Sequence, residues 1–142
     1  MVFQRVISSD SHVSVQHDDV KAHLASKFHA EYDDALQQAF REMLGGNAAK
    51  ANAAGAEIKH ASWGRAGYAD PGERLRDMDT DGVDIEVLYC EVSAYRYLYL
   101  LETGAAEATR AFNDTLHDFA SADPSRLIVT ISPSPSSRTF LV

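Results

Sequence analysis

The sequence predicts an α/β domain in which parallel strands alternate with helices. Three observations carry that prediction. "VDIEVLY" and "RLIVTIS" hold β-branched and apolar residues with little alternation of polarity, the pattern of strands covered on both faces of a parallel sheet. Segments between the strand candidates repeat apolar residues at helical spacing. Strand and helix candidates then succeed one another along the chain, as crossover connections require.

The first strand candidate is Phe3 to Ser8, which runs into Asp10 as polar residues begin. From Asp18 the period changes. Tyr32, Ala35, Leu36, Ala39, Phe40, Met43 and Leu44 set one apolar stripe along a helix, and Gly45 and Gly46 stop it. Residues 47–69 are rich in alanine and glycine and read as a variable insertion, partly helical at best. Asp70 is placed to cap a helix whose first residue is Pro71, where the missing N–H of proline is unused. Leu75 and Met78 form one face of that helix, Asp81 and Gly82 end it, and Val83 to Tyr89 is the second strand. Two helices follow, Val92 to Glu102 and Ala105 to Ala122, the latter with Phe112, Leu116 and Phe119 at i, i+4 and i+7. Asp123 and Pro124 close it before the third strand, Arg126 to Ser132. Residues 133–142 are rich in serine and proline and read as an irregular tail, so one domain spans 1–132.

A chain of 142 residues is long enough to bury one core. Its 13 basic and 21 acidic residues give a formal charge of −8. Such a field repels phosphate backbones unless the basic residues gather, and Arg74 and Arg76, the densest pair, stand among Glu73, Asp77 and Asp79. A nucleic-acid partner is not expected. No apolar run approaches the roughly 20 residues of a membrane helix, and the start lacks the apolar stretch of a signal peptide, so a cytoplasmic protein without a membrane partner is expected. The single cysteine, Cys90, excludes an intrachain disulfide and a cysteine-built zinc site, and reads as a core residue.

The chemistry-bearing candidate is the stretch "VISSDSHVS". An Asp and a His at i and i+2 of a strand project to one face, so Asp10 and His12 point the same way. At the carboxyl end of a barrel strand that face is the mouth, where metals and ligands bind. A carboxylate and a neutral imidazole suit Zn²⁺ or Mn²⁺, which lowers the pKa of its bound water. The structural alternative has Asp10 capping a turn and His12 donating to a backbone carbonyl.

Three segments in order resemble the amidohydrolase-related family, in the branch that includes aminocarboxymuconate semialdehyde decarboxylase and the resorcylate-type decarboxylases. "VISSDSHV" is similar to its opening strand. "DPGERLRDMDTDGVDIEVLY" resembles its most recognisable block, with Arg74, Leu75, Asp77, Met78 and Asp79 ahead of Gly82, Val83 and Asp84. "AFNDTLHDFASADPSRLIV" resembles the following helix and third strand, through Asn113, Asp114, Asp123, Pro124 and Arg126. The resemblance implies a partial (β/α)8 TIM barrel, about its first three βα units with a helical insertion after the first strand. It places Asp10 and His12 at the first two metal ligands, with aspartate where histidine or glutamate is usual. It also implies a small carboxylate substrate, cyclic or aromatic, and further ligands from later strands: one or two histidines and an aspartate. A full barrel takes about 250 residues, so an N-terminal part is expected, weakly binding or inactive alone. The alternative is a non-catalytic fragment or partner-dependent α/β module, whose open sheet edges favour self-association.

Other candidates read more simply. His17, His23 and His29, six residues apart, would point about 240° apart on one helix and read as surface histidines. His60 and His117 read as solvent-facing, and Trp63 as packing its loop down. "DMDTDG" starts like a calcium loop, but Leu88 stands where the bidentate glutamate belongs. No G-x-S-x-G supports a serine nucleophile near Ser8, Ser9, Ser11 and Ser14. Tyr95, Tyr97 and Tyr99 cannot share one helix face, so partial core packing is expected.

Overall fold

The computed structural model describes residues 5–43, 65–90 and 92–133. Its elements, in order, are β1 (Ile7–Val13), α1 (His17–His23), α2 (His29–Met43), α3 (Pro71–Asp81), β2 (Ile85–Cys90), α4 (Val92–Leu100), α5 (Ala105–Ala120) and β3 (Leu127–Val129). Short 3-10 turns, Ser26–Phe28 and Ala66–Tyr68, precede α2 and α3. The strands form an open, parallel sheet in the order β1-β2-β3.

Local chemistry sets the helix ends. The Asp70 carboxylate accepts the Glu73 N–H at 2.9 Å, with Pro71 opening α3. Gly82 closes α3 in the left-handed region at φ 72°, and the Val83 N–H returns to the Met78 carbonyl at 2.9 Å. Along α2 the expected stripe buries Tyr32, Ala35 and Ala39. Along α5, Phe112 and Leu116 are fully buried and Phe119 partly so. Cys90 lies in the core.

Every buried strand residue lies on one face of the sheet: Ser11, Val13, Glu86, Leu88, Cys90 and Leu127. Of these, Val13, Leu88, Cys90 and Leu127 join one apolar cluster to which every helix contributes, through Val20, Tyr32, Met78, Leu98 and Phe112 among others. Among the described residues, the helices therefore cover a single face. The other face carries Ile7, His12, Ile85, Val87, Tyr89 and Ile128, with Ile7 57%, Tyr89 39% and Ile128 43% exposed. This corrects the expectation that β2 is covered on both faces. Its burial alternates residue by residue because, among the described residues, no layer lies over its outward side chains.

The first strand also differs from its expected range. It continues past Ser8 to Val13, because Ser11, His12 and Val13 pair with Leu88, Tyr89 and Cys90. Pairing with an apolar neighbour thus holds a polar sequence in the sheet. The second and third strands are shorter than expected, at Ile85–Cys90 and Leu127–Val129. The glycines at 45 and 46, most of the 47–69 insertion with His60 and Trp63, and the tail beyond Pro133 lie outside the described residues.

Candidate functional site

Asp10 and His12 are held by an irregularity in β1. From Ser8 to Ser11 the strand advances three residues while its partner advances two, from Glu86 to Leu88. Ser8 and Ser11 share the helix-covered face, their hydroxyls 2.9 Å apart. Ser9 and Asp10 together oppose Val87, so both belong to the uncovered face, and both are exposed. A bulge of this kind re-aims side chains and is frequent beside functional sites. Beyond it the alternation resumes, and His12 stands beside its cross-strand partner Tyr89 with ring centroids 6.0 Å apart. Asp10 and His12 therefore lie on the same open face, two positions apart. Among the described residues, no three His, Cys, Asp or Glu side chains are grouped to hold a metal ion.

The residues that carry the family resemblance form the scaffold around this strand. Arg74 of α3 donates through Nε to Glu86 of β2 at 2.6 Å, both largely buried under the helices. The Asp84 carboxylate accepts the Val6 N–H at 2.8 Å and fixes the start of β1. Arg126 donates to the Asp79 carboxylate at 2.7 Å and to the carbonyls of Val83 and Asp84, which ties the end of α3 to the start of β3. Asn113 exchanges two 2.9 Å hydrogen bonds with the backbone of Ser132. Asp123 accepts from the Ser125 hydroxyl and N–H, and the hydroxyl contact above all holds its carboxyl below the ordinary value. Asp77 and Asp79 are helical, which removes them from any calcium loop.

A groove of about 340 Å³ opens where β1 passes into α1. Val13, Leu116 and Phe119 give it an apolar floor, and Asp19, His23 and Asp118 bring polar groups to it. His23 Nε2 meets the Asp118 carboxylate at 2.8 Å. The three histidines expected on the surface are divided between two helices. His17 lies at the start of α1 with Nδ1 3.0 Å from the Tyr32 hydroxyl, and His29 Nε2 reaches the carbonyls of Lys21 and Leu24 at 3.1 and 2.8 Å. His117 is exposed, and Tyr97 is buried while Tyr99 is exposed.

Two contacts had no place in the sequence reading. Glu31 of α2 accepts the N–H groups of Glu102, Thr103 and Gly104 and the Thr103 hydroxyl, between 2.6 and 3.1 Å. It thereby ties the loop between α4 and α5 to α2, and the Thr103 hydroxyl, the first of these causes, holds its carboxyl below the usual range. Nothing in the spacing of Glu31 and Thr103 signals this. Glu86 did leave a signal, as the lone carboxylate inside the apolar run "DIEVLY". No protein-family model matches the chain, and no curated protein matches it.

Proposed function

We propose that the chain is the N-terminal part of a metal-dependent (β/α)8 enzyme of the amidohydrolase-related type. It acts on C–N, C–O or C–C(carboxylate) bonds of small cyclic or aromatic acids. The observation that carries this reading is the position of Asp10 and His12 on the sheet face that the helices leave open. A barrel strand turns one face to the helices and the other to the interior, and successive strands are neighbours in chain order. The β1-β2-β3 order with helices on one face agrees with that arrangement. A doubly wound sheet would instead reverse its order and bear helices on both faces.

The donor set fits Zn²⁺ or Mn²⁺, which accept imidazole and carboxylate together. Asp10 and His12 would hold the ion, with later strands supplying the remaining ligands. Such an ion, once bound, would polarise the substrate carboxylate or carbonyl and acidify water. In the protein itself, the bulge aims Asp10 and the Tyr89 ring flanks His12. Two ligands make a weak site, so binding by the 142-residue chain is expected in the millimolar rather than nanomolar range.

The test is Mn²⁺ titration of the chain with the histidine ring resonances as readout. His12 should broaden first, and Asp10→Asn should abolish its priority. Equal broadening of His12, His23 and His117 would sink the reading. A partner-dependent, non-catalytic α/β module is the second reading, favoured by the exposed Ile7, Tyr89 and Ile128 on the open face. Sedimentation of the same samples separates the two: association that is independent of metal and abolished by Ile128→Lys supports the module.

A further inference from the structure

The groove between β1, α1 and α5 lies apart from Asp10 and His12. Val13 lines it and faces the helices, whereas Asp10 and His12 are on the open face of the same strand. Its volume of about 340 Å³ is room for about eleven water molecules, at roughly 30 Å³ each. That is the low end of the volumes that take small organic ligands.

The lining divides into an apolar part and a part that accepts hydrogen bonds. Val13 and Leu116 are fully buried at its floor, with Phe119 and Pro71 half-buried beside them. Such a floor suits a hydrocarbon or aryl body. The carboxylates that line it are Asp19 of α1 and Asp118 of α5, both exposed, and among the described residues no Lys or Arg lines it. Lys21, the one lysine of α1, is bound instead to Asp33 of α2 at 2.8 Å. A carboxylate only accepts, so His23 Nε2 donates to Asp118 across their 2.8 Å contact. The Thr115 hydroxyl gives its proton to the Ala111 carbonyl at 2.9 Å, which leaves its oxygen to accept.

The helix ends bear on the same point. Asp118 and Phe119 belong to the last turn of α5, where the partial negative charge of a 16-residue helix favours a cation. The positive ends of α1 and α3 also border the groove, but aspartates offset both: Asp18 and Asp19 in the first turn of α1, and Asp70 capping α3.

We propose that this groove binds a small organic amine, its apolar body on Val13, Leu116 and Phe119 and its ammonium between the carboxylates of Asp19 and Asp118. An ammonium brings three donors and no acceptor, which matches walls that chiefly accept. An anion of the same shape would face two carboxylates and no fixed cation. Both carboxylates stand in water, so salt screens the attraction and millimolar affinity is expected. The site requires neither Asp10 nor His12 nor any later strand, and it stands or falls independently of the metal reading.

The experiment titrates three probes of one body and different charge, phenethylamine, 2-phenylethanol and phenylacetate, into the full chain at neutral pH and low salt. The methyl and ring resonances of Val13, Leu116 and Phe119 are the readout. Phenethylamine should shift all three saturably and bind about threefold to fivefold tighter than the alcohol, with phenylacetate the weakest. Salt at about 0.5 M should bring the amine and the alcohol together. Asp19→Asn and Asp118→Asn should each weaken the amine by about twofold to threefold and leave the alcohol unchanged. Equal affinity for amine and alcohol at low salt overturns the proposal, as does tighter binding of phenylacetate. Phenethylamine shifts that spare Val13, Leu116 and Phe119 overturn it too. Should a variant fail to fold, the ranking of the three probes on the native chain decides.

Discussion

The Arg74 guanidinium and the Glu86 carboxylate meet at 2.6 Å on the helix-covered face of the sheet, with only 14% and 11% of their side chains exposed. Glu86 sits on the central strand between Ser8 of β1 and Leu127 of β3, so this ion pair takes the place of an apolar contact in the layer between α3 and β2. Removing one partner strands a largely buried charge. Arg74→Met should destabilise the fold by about 3 kcal/mol, and so should Glu86→Leu. The double variant should recover most of that loss, because two apolar side chains of similar volume pack where the pair was. Urea melts of the four proteins provide the cycle, and additive losses would show that the pair is not coupled.

Glu31 of α2 gathers the N–H groups of Glu102, Thr103 and Gly104 and so fixes the loop that leads into α5. Glu31→Ala should cost about 1 kcal/mol through the lost hydrogen bonds, allowing for solvent screening of an exposed carboxylate. The pH dependence follows from the lowered pKa. The unfolded carboxyl titrates near 4.5 and the folded one below it. The contribution is therefore complete above pH 4.5 and is lost as the pH falls through the folded value. The stability gap between native chain and variant, measured by denaturant melts from neutral pH downward, should narrow only below pH 4.5. A gap that already narrows at neutral pH would contradict this.

The parts of this fold that were legible in the sequence are those set by neighbouring residues. Asp70, Pro71 and Gly82 mark α3 because capping and left-handed backbone act within a few residues. The α2 and α5 stripes follow from helical period alone. What could not be read depends on partners far along the chain. Ser9 to Val13 look like a loop until β2 pairs with them, and a bulge cannot be seen in one strand by itself. The six-residue spacing of His17, His23 and His29 cannot show whether they share a helix, and the 3-10 turn at Ser26–Phe28 separates His29 from the other two. For the candidate site, the shared face of Asp10 and His12 was legible from their spacing, although the strand reaches it through an irregularity that simple alternation ignores.

Two glycines should respond to substitution for different reasons. At Gly82 a Cβ would meet nothing within 4 Å, and the strain comes from φ 72° alone. Gly82→Ala should cost about 1 kcal/mol, and Gly82→Asn less, because asparagine tolerates the left-handed region. At Gly67 the added Cβ would lie 2.7 Å from the Asp77 carboxylate and 3.0 Å from the Arg74 Cα. Part of that crowding is backbone and cannot swing aside, so Gly67→Ala and Gly67→Asn should both cost about 1–3 kcal/mol. Thermal melts in which asparagine rescues both sites equally would show that conformation, rather than space, governs Gly67.

Asp10 offers the sharpest separation of site from scaffold. It is exposed within the bulge, on a face that no helix covers among the described residues. Truncating its charge removes no buried partner, so Asp10→Asn should leave stability within about 0.5 kcal/mol of the native chain. Glu86, a carboxylate of the neighbouring strand, should behave in the opposite way because it faces the helices. The side-chain contact that spans the bulge joins the Ser8 and Ser11 hydroxyls, 2.9 Å apart, and does not involve Asp10. A stable Asp10→Asn variant that no longer gives His12 priority in Mn²⁺ broadening is the outcome expected of a ligand. A variant that unfolds would instead make Asp10 a structural element of the bulge and remove the basis for placing a metal there.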